Sequence, residues 1–171
     1  MNLTIPELSL VVLVGPSGAG KSTFAAKHFL ATEVISSDAC RALVSGDEND
    51  MAATEAAFRM LHSIAGKRLS SGRIAIVDAT SVQPKWRKPL IALAREHDCP
   101  PVAIVFDLPE QVCIERNEGR AGRNLPAAVI HRQRGQMRRS LSGLQREGFR
   151  FVYMLNSVDV VDSAIIVRRP L

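Results

Sequence analysis

The apolar run Leu10-Val11-Val12-Leu13-Val14, followed at once by Gly15-Pro16-Ser17-Gly18-Ala19-Gly20-Lys21-Ser22, constrains this chain more than any other stretch. Five consecutive apolar residues, three of them β-branched, read as a strand buried on both faces. The next eight satisfy G-x-x-x-x-G-K-S/T in every fixed position, and a helical stretch over residues 22–30 comes after them. Strand, glycine-rich loop and helix are the context in which this motif folds as a P-loop. Gly15, Gly18 and Gly20 let successive backbone N–H groups approach phosphate oxygens, and the helix adds its positive end to the same site. Pro16, Ser17 and Ala19 complete the loop, Lys21 is placed for the β- and γ-phosphates, the Ser22 hydroxyl for Mg²⁺, and Thr23 for the first helical turn. ATP or another nucleoside triphosphate, with Mg²⁺, is the expected cofactor set.

Further apolar, β-branched runs fall at residues 8–14, 33–35, 73–77, 101–106, 150–155 and 164–167, with segments of helical length between them. That alternation predicts an α/β P-loop NTPase fold: a mostly parallel sheet covered by helices on both faces. Ligands of such sheets sit at the carboxyl ends of the strands, so Ser36-Ser37-Asp38, Asp78-Ala79-Thr80 and Asp107 join the loop on the expected rim. Helices are predicted over 50–70, with Asp50 as cap and Ala56, Met60, Ile64 and Leu69 as the apolar face, and over 83–97. A third runs over 108–118; Gly122, Asn124 and Pro126 then break the chain before a basic helix over 127–147. Helix, break and helix together predict a hinged lid over about residues 116–139.

A length of 171 residues with 46% hydrophobic content suits one domain over 1–171. No apolar stretch approaches a membrane span, and residues 1–7 lack the pattern of a signal peptide, so a cytoplasmic protein without membrane attachment is expected. Cys40, Cys99 and Cys113 are odd in number and far apart, which suggests reduced thiols and no zinc site. The net charge of +5 is concentrated: arginines 116, 120, 123, 132, 134, 138 and 139 stand in one segment with a single acid, Glu118. Such a segment suggests a polyanion partner, whether a triphosphate, a nucleic acid or both, the alternative being a solvated helix face.

Phosphoryl transfer requires an in-line acceptor, a group to take its proton and positive charge around the moving phosphoryl. Asp38, at the mouth of the second apolar run, is the candidate base; Arg41, three residues on, shares its helical face and is a candidate substrate clamp. The same pair could instead be a helix cap with an i,i+3 ion pair. Asp78 ends a strand of Walker B shape and either approaches Mg²⁺ or caps the turn at Ala79-Thr80. Asp107 is assigned a structural role. Arg116, Arg120 and Arg123 fall at i, i+4 and i+7 and are candidates to bind phosphate oxygens, the alternative being a salt-bridged surface helix. The four histidines and Trp86 carry no ligand or nucleophile spacing and are read as structural.

The P-loop together with Ser37-Asp38-x-x-Arg41, Asp47-Glu48-Asn49-Asp50, Val77-Asp78-Ala79-Thr80, Phe106-Asp107-Leu108-Pro109-Glu110 and Arg116-Asn117 resembles the polynucleotide 5′-kinase module of bacterial RNA-repair kinase/phosphatase/ligase enzymes. The resemblance runs nearly end to end and implies an adenylate-kinase-like phosphotransferase. Carried over, it implies Lys21 and Ser22 on ATP and Mg²⁺, Asp38 as general base for a 5′-OH, and Arg41 on the phosphate 3′ of the terminal nucleoside. Arg116 and Arg120 would clamp the donor phosphates, with Arg123 nearby. Gly46 and Ser81 depart from the pattern, where an acidic residue and an asparagine are expected. The resemblance also implies phosphatase and ligase modules in a longer parent chain, so this chain is expected to be either an excised domain or a stand-alone kinase.

The expected function is therefore ATP-dependent phosphorylation of RNA or DNA 5′-OH ends. Two alternatives stay open: a small-molecule kinase on the same scaffold, and a non-catalytic nucleotide-dependent switch that binds nucleic acid. With few aromatic residues in the chain, acceptor binding is expected to rest on phosphate contacts.

Overall fold

The computed structural model describes residues 1–122 and 125–170. The chain opens with β1 (Asn2–Pro6), which pairs in parallel with the last strand, β7 (Ile165–Arg169), as a separate two-stranded sheet. The main sheet holds β2 (Leu10–Val14), β3 (Val34–Ser36), β4 (Ala75–Asp78), β5 (Pro101–Phe106) and β6 (Phe151–Leu155). Its order is β3-β4-β2-β5-β6, and every pairing among the described residues is parallel. This is the α/β architecture that the alternating runs predict.

The central strands β2, β4 and β5 are buried on both faces, so alternate side chains enter different cores. Val12, Val14, Val77 and Val105 pack on one side against α3 (Thr54–Ser70) and α4 (Pro84–Glu96), through Ala57, Leu61, Leu90 and Ala94. Val11, Leu13, Ile76 and Ile104 face α1 (Lys21–His28) and α5 (Glu110–Glu118) on the other, through Phe24 and Cys113. The strand order reverses around β2, with β3 and β4 to one side and β5 and β6 to the other. A crevice opens at the carboxyl end of such a switch strand, and the P-loop begins there.

Four expectations need correction. Residues 2–6 form a strand of their own, because Ser9 and Pro6 interrupt the apolar run and the Ser9 hydroxyl donates to the Pro6 carbonyl. The apolar face of α3 is Ala57, Leu61, Ala65 and Leu69; Ile64 is exposed. A 3-10 turn over Met51–Ala53, capped by Asp50, starts the segment, and the buried stripe falls one residue after the predicted one at its first three positions. The basic helix is not continuous either: α6 (Ala127–Ser140) gives way to a 3-10 turn at Leu141–Gly143 and a short α7 (Leu144–Glu147). Finally, α5 stops at Glu118, so Arg120 lies beyond its helical face; Arg123 lies outside the described residues.

Candidate active site

The P-loop takes the conformation its glycines permit. Gly18 and Gly20 have φ of 80° and 91°, in the left-handed region, and Gly20 is the N-cap of α1. At Gly18 a Cβ would collide with the Cys113 carbonyl, so the loop lies directly on α5. The Gly15 N–H donates to the Thr80 carbonyl at 2.9 Å, bracing the loop against the turn after β4. Lys21 is buried, and its ammonium donates to the carbonyls of Gly15 at 2.8 Å and Pro16 at 2.9 Å. Ala19 is buried beneath the loop, while Ser22 and Thr23 are exposed at the start of α1.

β2 and β4 are hydrogen-bonded neighbours, which carries Asp78 to the start of α1. There the Ser22 hydroxyl donates to Asp78 Oδ2 at 2.7 Å. Of the two readings of Asp78, the contact favours the one facing the P-loop serine. Two hard oxygens side by side suit Mg²⁺, which keeps several waters and takes few protein ligands. No cluster of three or more His, Cys, Asp or Glu side chains that could hold a metal ion exists among the described residues.

Asp38 and Arg41 meet on α2 (Ser37–Ser45) as the i,i+3 spacing predicts. The helix cap is Ser36, whose hydroxyl accepts the Ala39 N–H, so Asp38 is not spent on capping. Arg41 Nη1 donates to Asp38 Oδ1 and, at 3.3 Å, to the Glu48 carbonyl; Nε reaches Thr54 Oγ1 at 3.4 Å. The guanidinium is thus buried and held from three directions. Arg120 Nη2 lies 4.0 Å from Asp38 Oδ2, joining the segment after α5 to the base of α2. The side chain of Arg116 approaches the P-loop itself: a Cβ at Gly20 would stand 3.1 Å from its Nη1.

These groups share one cavity of about 630 Å³, lined by Lys21, Ser22, Asp38, Arg41, Asp78 and Arg116 among others. Cys113 lies under the loop, and burial raises its thiol pKa, with Lys21 and Arg116 opposing more weakly. The sulfur therefore stays protonated and apolar in character, as packing requires.

Further along the arginine segment, Arg134 and Arg138 are held at the end of β5. Arg134 Nη2 and Arg138 Nε lie 3.7 and 3.5 Å from Asp107 Oδ1, and Arg134 Nε donates to the Leu108 carbonyl at 3.1 Å. Asp107 thereby ties the end of β5 to α6, the structural role expected of it. Two residues not singled out in the sequence also matter. Gln133 Oε1 accepts the Ser17 N–H at 2.9 Å, so α6 touches the P-loop; the signal is a polar residue between the buried Ile130 and Met137 on an inward helical face. Thr54 braces Arg41, and nothing in the spacing marks it. The buried Asn117 amide donates to the Leu125 carbonyl at 2.8 Å, fixing the chain on the far side of the break.

No helix among the described residues is long and apolar enough to cross a membrane. No curated protein matches the chain. Among solved structures, a chain of the Pnkp1/Rnl/Hen1 RNA repair complex is similar at 25% identity and a TM-score of 0.69, over 82% of this chain. This chain spans about half, 46%, of the length of that protein. A structure described as a kinase, from Chloroflexus aurantiacus, is similar at 18% identity and a TM-score of 0.61, covering 88% of each chain. A gluconokinase from Sinorhizobium meliloti matches at 18% and 0.58, over 92% of this chain and 89% of its own. The last two share the fold. Residues 10–144 match the family model described as AAA domain, a span that includes the P-loop, Asp38, Asp78 and Arg116, and the chain belongs to this family with a P-loop kinase-like fold.

Proposed function

We propose that the chain, as one domain over 1–171 with a lid near 116–139, transfers the γ-phosphoryl group of ATP to a 5′-hydroxyl end of RNA or DNA. The observation that carries the reading is Asp38, set across one cavity from Lys21 and Ser22 and flanked by two arginines. A carboxylate so placed can orient an acceptor hydroxyl and take its proton, while Lys21, Arg116 and Arg120 supply positive charge on the donor side. ATP with Mg²⁺ bound at this loop would provide the phosphoryl donor and partial neutralisation of its charge; Ser22, with Asp78 behind it, would hold the metal. Arg41, buried next to the base, suits an acceptor carrying an anionic phosphate better than an uncharged sugar. That favours a nucleotide end over a neutral small molecule. Similarity to a chain of an RNA repair complex supports the same choice, and further repair modules in a parent chain belong to the proposal.

Incubation with γ-32P-labelled ATP and Mg²⁺ tests it. A 5′-OH oligonucleotide should become labelled at its end and Asp38→Ala should abolish the labelling. Label appearing on gluconate or another small polyol, with none on oligonucleotides, would assign the chain to the small-molecule kinases instead.

A further inference from the structure

Phe58 and Trp86 stack on each other in a second cavity, of about 370 Å³, between α3 and α4. Their ring centroids are 4.6 Å apart at an interplanar angle of 33°, and both residues are partly buried. Lys85 Nζ lies 5.1 Å from the Trp86 ring, and Arg59 lines the same groove, against one acid, Glu55. An aromatic pair with cations at its margin matches a stacked nucleobase and its phosphate. Phe58 also packs against the core cluster, whereas Trp86 is not part of that core, and both residues keep partial solvent access.

The groove also continues the acceptor side of the active site. Thr54, which accepts from Arg41 Nε, stands four residues before Phe58 on α3. Residues i and i+4 share a helical face about 6 Å apart along the axis, so Phe58 lies one turn beyond the Arg41 brace. β4 delivers α4 to the same rim, through Asp78 and the turn that follows it, and Trp86 is in the first turn of that helix.

We infer that the α3/α4 groove binds the nucleotides downstream of the 5′ end, with Phe58 and Trp86 as a stacking platform for a single-stranded polynucleotide. This rests on the polynucleotide reading of the active site. It replaces the expectation of an acceptor held by phosphate contacts alone. The strand would pass Asp38 and Arg41 and continue down the face of α3, its phosphates towards Arg59 and Lys85.

Trp86 is the only tryptophan of the chain, so its fluorescence reports on the groove directly. A 5′-OH adenylate decamer should quench that emission, whereas adenosine 3′-monophosphate, which reaches only as far as Arg41, should not. Phe58→Ala and Lys85→Ala should each weaken decamer binding, Phe58→Ala by about fivefold or more, the low end for one stacked base. Phe58→Tyr should restore it, which separates stacking from loss of fold. Phosphorylation of adenosine 3′-monophosphate should be unchanged in both alanine variants. Decamer labelling without any change in Trp86 emission would overturn the groove and leave the kinase reading standing. Quenching without labelling would overturn the kinase reading and leave the groove. Absence of both would overturn the two together.

Discussion

The Ser22 hydroxyl donates to Asp78 Oδ2 at 2.7 Å, joining the first turn of α1 to the end of β4. If Ser22 holds Mg²⁺, Asp78 orients that ligand from behind, and such partners commonly contribute 10- to 100-fold to metal affinity or activity. Asp78→Asn should therefore raise the Mg²⁺ concentration needed for half-maximal phosphorylation by about 10-fold or more. In combination with Ser22→Ala the losses should fall short of additive, because each variant breaks the same contact. A Mg²⁺ titration of initial rate checks both; fully additive losses would mean the two act separately.

On the proposed reading Asp38 serves the acceptor and Lys21 the donor, so the two should separate kinetically. Asp38→Asn keeps size and removes the base; kcat should fall by at least about 100-fold while the KM for ATP changes little. Steady-state kinetics at saturating oligonucleotide reads both parameters. A fall of less than threefold would assign the proton to another acceptor.

Arg116 reaches the P-loop from α5, next to Gly20. Arginines that meet the transferring phosphoryl are worth about 10³–10⁵ in rate, so Arg116→Ala should cost at least 10³-fold in kcat. Arg116→Lys should recover little, since an ammonium lacks the planar fork that binds two phosphate oxygens. Substantial rescue by lysine would reduce the role to charge alone.

At Gly18 both backbone and space forbid a side chain: φ is 80° and the Cys113 carbonyl fills the position of a Cβ. Gly18→Ala should force the loop off α5. ATP binding measured by calorimetry should be lost, and thermal unfolding should shift down by several degrees, as expected for about 1–3 kcal/mol of strain. Gly46 also has positive φ, but no atom lies within 4 Å of its Cβ position, so Gly46→Ala should be milder.

Glu33, in the turn leading to β3, accepts hydrogen bonds from Nη1 and Nη2 of Arg168 on β7, at 2.8 and 2.6 Å. The pair fastens the small sheet to the strand that delivers Asp38. Hydrogen bonding from Arg168 holds the Glu33 carboxyl below its ordinary value of 4.5. A carboxyl lowered on folding stabilises the protein fully above that ordinary value and loses the contribution as pH falls through the lowered one. Arg168→Ala should therefore lower stability at neutral pH by about 1 kcal/mol, modest because Arg168 is a third exposed. The difference from the parent should shrink as pH falls below the ordinary carboxyl value of 4.5 and through the lowered Glu33 pKa, read by urea unfolding.

Much of this site is local in the chain and therefore legible in it. The P-loop needs only its own glycines and the strand and helix beside it, and Asp38 with Arg41 needs only one helical turn. Those features followed from residue spacing. Helix faces were less legible: the buried stripe of α3 runs through Ala57, Leu61 and Ala65, one residue after the predicted positions, and α5 ends at Glu118, so the i, i+4 spacing of Arg116 and Arg120 does not put both on one helix.

By itself, then, the sequence determined the phosphate loop, the parallel α/β sheet and the short-range pair Asp38 and Arg41, because backbone sterics and periodicity act over neighbouring residues. Only the tertiary structure decided what lies between distant segments. Ser22 meets Asp78 because β2 and β4 are adjacent, Arg120 comes to Asp38 across the mouth of the cavity, Gln133 touches Ser17, and Phe58 stacks on Trp86. The physical reason is the order of strands in the sheet, which brings together side chains far apart in sequence through packing that no local pattern encodes.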